Sequence, residues 1–448
     1  MKKFLVALMV LALAGGALMA APTHVRWFVG LGSGGDAPTV IVEKKVVDAY
    51  NASQSDVFID LEIVGNNQAY NTLATEISGG NSPDIVGPVG IRGRDSFKGA
   101  WADLQPLVDK YKWDLKKFDK ATVDFFRTKD QGLVGLPYAI YPSFMYVNRA
   151  AFKEAGIPLP PQKYGAPYVD EKGKSMPWDT DTLRMIAMKL TVDKNGKTPN
   201  DAGFDADHIV QWGFGQQMTD LRGVATLFGA GNFVAADGKT AQIPPQWVAG
   251  IKWVYDGIWK DHFYPSKSAS DSDILNKGDW FASGHIAMSQ VHTWYAGFAD
   301  IAKLDWTTAA IPSYKGKATA KMHADTFEIT KTSKNKDAAF KALTYLLASP
   351  ELLNAYGAMP AQKSAQAAYL AAFAKAKFPS NDVNWQTVID SIAFNDNPNH
   401  ESWMPAFQET TTRYTMFYEK FTSTPGLDLA AEEKSLVADM QKIFAAAK

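Results

Sequence analysis

Residues Gly30 to Gly35 read GLGSGG, and Gly30, Gly32 and Gly35 satisfy the spacing G-x-G-x-x-G. Between a strand and a helix, such a run presents backbone N–H groups to a dinucleotide pyrophosphate. The context fits, because VRWFV before it reads as a strand and Pro38 onward as a helix. Two details do not fit. The fingerprint places its last glycine inside the helix, whereas here Asp36 and Pro38 open the helix after all the glycines. The fingerprint also asks for an acidic residue about twenty positions on. Asp48 comes too early, and Asp56 and Asp60 lie beside or within the next strand. Glycines equally suit a loop whose backbone approaches any ligand closely, since they tolerate positive φ. The run is therefore read as a ligand-facing loop, with its N–H groups and Asp36 available to polar groups of a ligand.

Other reactive constellations find little support. The seven histidines stand at 24, 208, 262, 285, 292, 323 and 400, with no H-E-x-x-H and no close pair, so a metal site is not expected. His285 and His292, seven apart in a strand-like stretch, fall on opposite faces. There is no G-x-S-x-G elbow and no G-x-x-x-x-G-K-[ST] loop. The cysteine count is zero, which removes thiol nucleophiles, iron–sulfur clusters and thiolate zinc sites. No cofactor is expected. Asn51-Ala-Ser53 matches a glycosylation sequon, at a frequency that chance supplies in a chain this long.

The elements that must position a site follow from composition and periodicity. With 448 residues, 46% of them hydrophobic, the chain is large enough for two or three folded units. A net charge of -1 favours neither nucleic acid nor an anionic membrane as partner. Thirteen tryptophans are mostly core, with a minority available as stacking surfaces. MKK followed by FLVALMVLALA and GGALMA has the charge, apolar stretch and small residues of a signal peptide, cut after Ala20 or Ala21. Without a cysteine after the cut, the expectation is an exported protein free in a periplasm, not lipid-anchored, where intracellular dinucleotides are scarce.

Strand and helix signals alternate from there. Val42, Val46, Val47 and Tyr50 recur at helical spacing, VFIDLEIVG alternates as a strand, AYNTLATEISGG reads as a helix and SPDIVGPVG as a third strand. This order implies an α/β domain with a mainly parallel sheet. A long strand-like stretch, Tyr138 to Val147, has the length to leave one domain and enter another. Helices are expected at TDTLRMIAMKL, at PPQWVAGIKWVYDGIW and at DSDILNKGDWFASG, and a strand at HIAMSQVHTWY. In the second helix Trp247, Ile251, Val254 and Ile258 make one apolar face. Ser349 and Pro350 start a helix that Gly357 ends.

Five segments in order, SGGNSPDIVG, GLPYAIYPSFMYVNRAAFKEAGIP, FASGHIAMSQVHTWY, TSKNKDAAFKALTYLLASPE and MPAQKSA, resemble the extracellular solute-binding proteins of sugar ABC transporters, in the branch that includes maltodextrin-binding proteins. The resemblance covers almost the whole chain after the signal. It implies the type II periplasmic-binding-protein fold, α/β with two lobes, a three-crossover hinge and a ligand cleft between the lobes. The crossings are expected near Tyr138–Ser143, His323–Phe327 and Met359–Lys363. Residues 22–140 plus 325–359 would form one lobe and 141–324 plus 360–448 the other. The implied partners are a small-molecule carbohydrate and the permease subunits of an ABC transporter, for a non-catalytic, monomeric receptor. One stretch, PQKYGAPYVDEKGKSMP between Pro160 and Trp178, departs from the family as surface decoration or as part of the cleft rim.

A sugar ring has apolar faces, which aromatic rings cover, and a belt of hydroxyls, which need donors and acceptors. The resemblance implies Trp294 as a stacking surface, with His292 and Tyr295 as neighbours. From the other lobe it implies polar contacts from Asp36, from Asn67, Gln68 and Tyr70, and from Arg92. Tyr141 and Asp325 fall on crossings, Asp220 and Arg222 in QMTDLRG, and Trp403 near a C-terminal aromatic position. A secreted glycosidase with two carboxylates flanking the bond, or a same-fold receptor for another solute, are the rival readings.

Overall fold

The computed structural model describes residues 21–35, 37–218, 220–298, 300–396 and 404–447, with only the backbone of Asn67, Ile91, Arg92, Ala121 and Phe298. The expected signal segment at residues 1–20, Asp36 and Trp403 lie outside the described residues.

In Thr23–Val29 (β1) Val25, Trp27 and Val29 are buried on one face and Phe28 on the other. A strand covered on both faces belongs in a sheet flanked by helices. Ala37–Ser53 (α1) follows and buries Val46, Val47 and Tyr50, three of the four residues whose spacing marks the helix. Val57–Ile63 (β2), Asn66–Ser78 (α2), Ile85–Val89 (β3) and the short helix Ile91–Ser96 (α3) complete the first unit. β1 pairs in parallel with both β2 and β3, Trp27 standing opposite Leu61 and Ile85.

All thirteen residues of Leu136–Asn148 (β4) are buried. Its second part pairs antiparallel with Met288–His292 (β6) and Trp306–Ala309 (β7). Its first part pairs antiparallel with Met322–Ile329 (β8) and Met359–Pro360 (β9). Gly215–Gln216 (β5) runs parallel to β6. One nine-stranded sheet results, ordered β5-β6-β4-β8-β3-β1-β2, with β7 and β9 also on β4. The three expected crossings meet on β4, where Ala324 and Met359 both face Ile140, and Asp325 and Pro360 both face Ala139.

Helices Leu221–Ala225 (α4) and Pro245–Trp259 (α5) lie between β5 and β6 in the chain, and α5 buries Trp247, Ile251, Val254 and Ile258 as their spacing requires. The helix expected over DSDILNKGDWFASG is replaced by short turns, because Asn276, Lys277 and Gly278 all take positive φ and break the helical path. HIAMSQVHTWY is a strand only as far as His292, and Trp294–Phe298 (α6) is helical. Ser349 caps the helix that begins at Pro350 by accepting from Leu352 N–H at 3.3 Å. The departure between Pro160 and Trp178 holds a small hairpin, Tyr168–Val169 against Ser175–Met176. Tyr164 within it stacks on Phe394, with ring centroids 4.3 Å apart.

Near the C-terminus Phe407–Ser423 (α8, after Lys336–Leu347, α7) packs along Leu429–Ala446 (α9). Ion pairs Arg413–Asp439 at 3.0 Å and Lys420–Glu432 at 2.6 Å join the two helices. Trp259 of α5 donates its Nε1–H to the carbonyl of Phe421 at 3.0 Å, fixing the far end of α8 to the β6 side of the sheet. The first turn of α8 reaches the other side, where Gln408 donates to Ser96 Oγ of α3 at 2.6 Å.

Candidate ligand-binding cleft

A cavity of about 770 Å³ lies outside the Ser96–Gln408 contact, and one of about 670 Å³ inside it. The inner one is built from loops at the ends of β1, β2 and β3, from β8 and from α8. Leu31 and Gly32 of the glycine loop, Asn66 and Tyr70 of α2, and Gly90 and Gly93 around α3 form one wall. The loop is held in place by Asn66, which donates to the Gly30 carbonyl at 2.9 Å. Gly30 has φ +146 and a Cβ there would lie 2.2 Å from the Val64 carbonyl oxygen, so this glycine serves the backbone path. Gly32 is the member that faces the cavity, its missing side chain leaving the Pro88 carbonyl 2.8 Å from where a Cβ would stand.

The opposite wall is α8, through Thr411, Thr415, Met416 and Glu419, together with Asp220. Asp220 caps α4, accepting from Gly223 N–H at 2.7 Å, and its second oxygen remains for other donors. His323 and Asp325, two apart on β8 and so on one face of the strand, close the base. Asp325 is buried and accepts from the Tyr141 hydroxyl at 3.3 Å. Burial pushes its carboxyl up to about 6, against the lowering effect of the Tyr141 hydrogen bond. Burial also drives the Tyr141 hydroxyl well above the ordinary tyrosine range, so it stays a donor.

Around the edge of α8 a second chamber of about 320 Å³ adjoins the first, and Thr415 and Glu419 line both. Its walls are Trp280, Trp294, Tyr418 and Met218, an aromatic enclosure of the kind that takes the apolar face of a ring. Trp294 lies edge-on to Tyr295, with centroids 6.2 Å apart.

The structure thus brings Tyr70, Asp220 and Asp325 to one cavity, Trp294 to the chamber beside it, and Tyr141 behind Asp325. Three other candidates stand elsewhere. Gln68 is exposed and does not line the cavity. Arg222 is buried, ion-paired with Asp396 and stacked 5.6 Å from the Trp247 ring. His292 is fully buried, 4.3 Å from the His323 ring and 6.1 Å from Trp294, and burial holds its imidazole well below the ordinary range. Asn67 and Arg92 belong to α2 and α3, with side chains outside the described part. No residue between 160 and 178 lines either chamber.

Sequence reasoning missed α8. Its sequence, FQETTTRYTMFYEKFTS, carries a clue in five threonines, at 410, 411, 412, 415 and 422. β-Branched residues restrict χ1 and are mediocre helix formers, so a cluster of them needs a reason beyond the helix itself. Here Thr411, Thr412 and Thr415 line the cavity. Among the described residues, no group of three or more histidine, aspartate or glutamate side chains converges to hold a metal, and no helix is long and apolar enough to cross a membrane.

Residues 37–351 match the family model described as bacterial extracellular solute-binding protein. No curated protein matches the sequence. Among solved structures, an ABC substrate-binding protein from Listeria monocytogenes in complex with cycloalternan superposes with TM-score 0.67 at 19% identity, over 94% of this chain and 99% of that one. The maltose/maltodextrin-binding domain MalE from Bdellovibrio bacteriovorus, bound to maltotriose, gives 0.63 at 16% identity, over 94% and 99%. UgpB from Mycobacterium tuberculosis, in complex with glycerophosphocholine, gives 0.65 at 14% identity, over 95% and 99%. The α/β fold with a central mixed sheet is that of the two-lobe binding proteins.

Proposed function

Because the chain belongs to the bacterial extracellular solute-binding protein family, we propose that it is the receptor of an ABC importer for a carbohydrate, exported and free in the periplasm, and that it acts as a monomer. The lobes are residues 22–140 plus 325–359 and 141–324 plus 360–448. The observation that carries this reading is the inner cavity, whose walls come from both sides of the sheet and meet at the crossings on β4. A ligand there touches both lobes at once. A ligand favours a closed state only through its extra affinity for that state, and contacts from both lobes supply that difference. Hinge closure about the crossings and docking of the closed form on the permease follow.

The lining suits a sugar. Carboxylates of Asp220, Asp325 and Glu419 accept from hydroxyls, the threonines of α8 donate and accept, and Trp294 covers a ring face. The sugar-bound neighbours support the same ligand class. The protein is read as a receptor without catalysis. A thermal-shift screen of the chain without its signal segment, against mono- and oligosaccharides, tests the proposal. Ligand at 100 times its Kd stabilises by about 2.7 kcal/mol. The expected result is a concentration-dependent rise in Tm with intact sugar recovered. No shift with any sugar, or products from the sugar, overturns the reading.

A further inference from the structure

Among its described residues the inner cavity is lined by three carboxylates, with His323 as the one basic side chain. Asp220, Asp325 and Glu419 all face it, and its described lining contains no lysine or arginine. None of the three is ion-paired with a cation among the described residues. Many carboxylates elsewhere are, as in Arg184–Asp261 at 2.6 Å, Arg26–Glu62 at 2.6 Å and Lys189–Glu171 at 2.9 Å. The chain as a whole is nearly neutral, at -1, so three carboxylates around one cavity without an ion-pair partner among the described residues are a local arrangement. In the adjoining chamber Lys267 stands at the rim and is already paired with Asp271.

The position of Asp325 gives the arrangement its weight. The strand β8 holds it at the base of the cavity, where the Tyr141 hydroxyl is its described side-chain donor. Gly90 leaves room for it, since a Cβ there would stand 3.2 Å from Asp325 Oδ1. A carboxylate held in that way is stabilised by a donor that carries charge. Charge-assisted hydrogen bonds are about twice as strong as neutral ones. Between protein walls the effective dielectric is lower than in bulk water, so the Coulombic preference is larger there.

We propose that the cleft selects its saccharide by charge: it takes sugars that bear a protonated amine in preference to neutral ones, and rejects sugars that bear a carboxylate or phosphate. The amine pairs with the Asp220–Asp325 side of the cavity, while ring hydroxyls meet the threonines of α8. An anionic sugar in the same place meets three like charges and, among the described lining residues, no lysine or arginine. This inference rests on the carbohydrate-receptor reading and names the class of sugar within it.

The test uses matched sets of one configuration and three charges: glucosamine, glucose and glucuronate, and galactosamine, galactose and galacturonate. Kd is measured by calorimetric titration at pH 7.5 and low salt, against the protein without its signal segment. In any configuration that binds, the expected order is amine tightest, by about tenfold or more over the neutral sugar, with the acid undetectable. The amine's advantage falls in 0.5 M salt, and Asp220→Asn and Asp325→Asn each bring the amine toward the neutral sugar while leaving the neutral sugar's rank over the acid. Equal affinities for amine and neutral sugar, or binding of the acid, overturn the charge selection while leaving the receptor reading intact. Arg92, which falls between the lining Gly90 and Gly93, is tested separately: acid binding that vanishes in Arg92→Gln would show that this arginine supplies a counter-charge, against the proposal. If neither these sugars nor any member of the thermal-shift panel binds, the receptor reading fails and this inference fails with it.

Discussion

Replacing Asp325 with asparagine separates its cost to the fold from its use to a ligand. The Asp325 carboxyl is raised from 3.8 to about 6, burial being the largest cause. The folded state therefore holds this proton more tightly than the unfolded chain does. Stability falls as pH rises through the window from 3.8 to about 6, and above it the ionised carboxylate carries its full penalty. At about 1.4 kcal/mol per pH unit the penalty reaches about 3 kcal/mol. The groups around it are the Tyr141 hydroxyl on β4, His323 beside it on β8 and Asp220 across the cavity. Asparagine keeps the shape and an oxygen for the Tyr141 hydroxyl but does not ionise. Urea denaturation of both proteins at pH 4, 6 and 8 reads the difference directly, because titrations elsewhere cancel. The variant should match wild type near pH 4 and exceed it by about 2–3 kcal/mol at pH 8. A constant offset across this range, or a variant less stable at pH 8, would refute the burial argument for Asp325.

Further outcomes follow from the same contacts. Trp294→Ala should weaken sugar binding by at least about tenfold, roughly 1.4 kcal/mol, in a variant whose circular dichroism and Tm stay close to wild type; unchanged affinity would remove the stacking role. Asp396→Ala leaves the buried Arg222 guanidinium without its carboxylate and should cost about 3–5 kcal/mol in denaturant unfolding; a loss under 1 kcal/mol would count against the pair's structural weight. Gln408→Ala removes the hydrogen bond to Ser96 across the cleft. It should lower the closed fraction and so weaken every ligand by one common factor, and calorimetry showing factors that differ between ligands would instead make Gln408 a direct ligand contact.

The parts of the fold legible in the sequence are those set by local periodicity. Val46, Val47 and Tyr50 mark α1, Trp247 through Ile258 mark α5, and the uninterrupted apolar run of β4 marks the strand that joins both halves of the sheet. Where the backbone departs from regular paths, composition misleads. Asn276 and Lys277 lie in a stretch read as helical but take positive φ, and Trp294 continues a strand-like run yet opens a helix. The cleft was legible where the chain order itself brings loops to one edge of the sheet, as with the glycine loop and Tyr70 of α2. Pairings across long separations were not. Nothing near Arg222 announces that Asp396, 174 residues on, will neutralise it. Likewise α8 is held at the cavity by α5 and α9, a placement no local pattern encodes.

The central claim is that a sugar binds once per chain between the glycine loop and α8. Thr415 lines both chambers, so a tryptophan there fills the space a ligand needs. Calorimetric titration of wild type and Thr415→Trp, side by side, with the sugar giving the largest thermal shift, tests the claim most directly. The account predicts one site per chain in wild type and an affinity lowered at least about a hundredfold in a folded variant, roughly 2.7 kcal/mol. Equal affinity in the two proteins would place the ligand elsewhere and contradict the account.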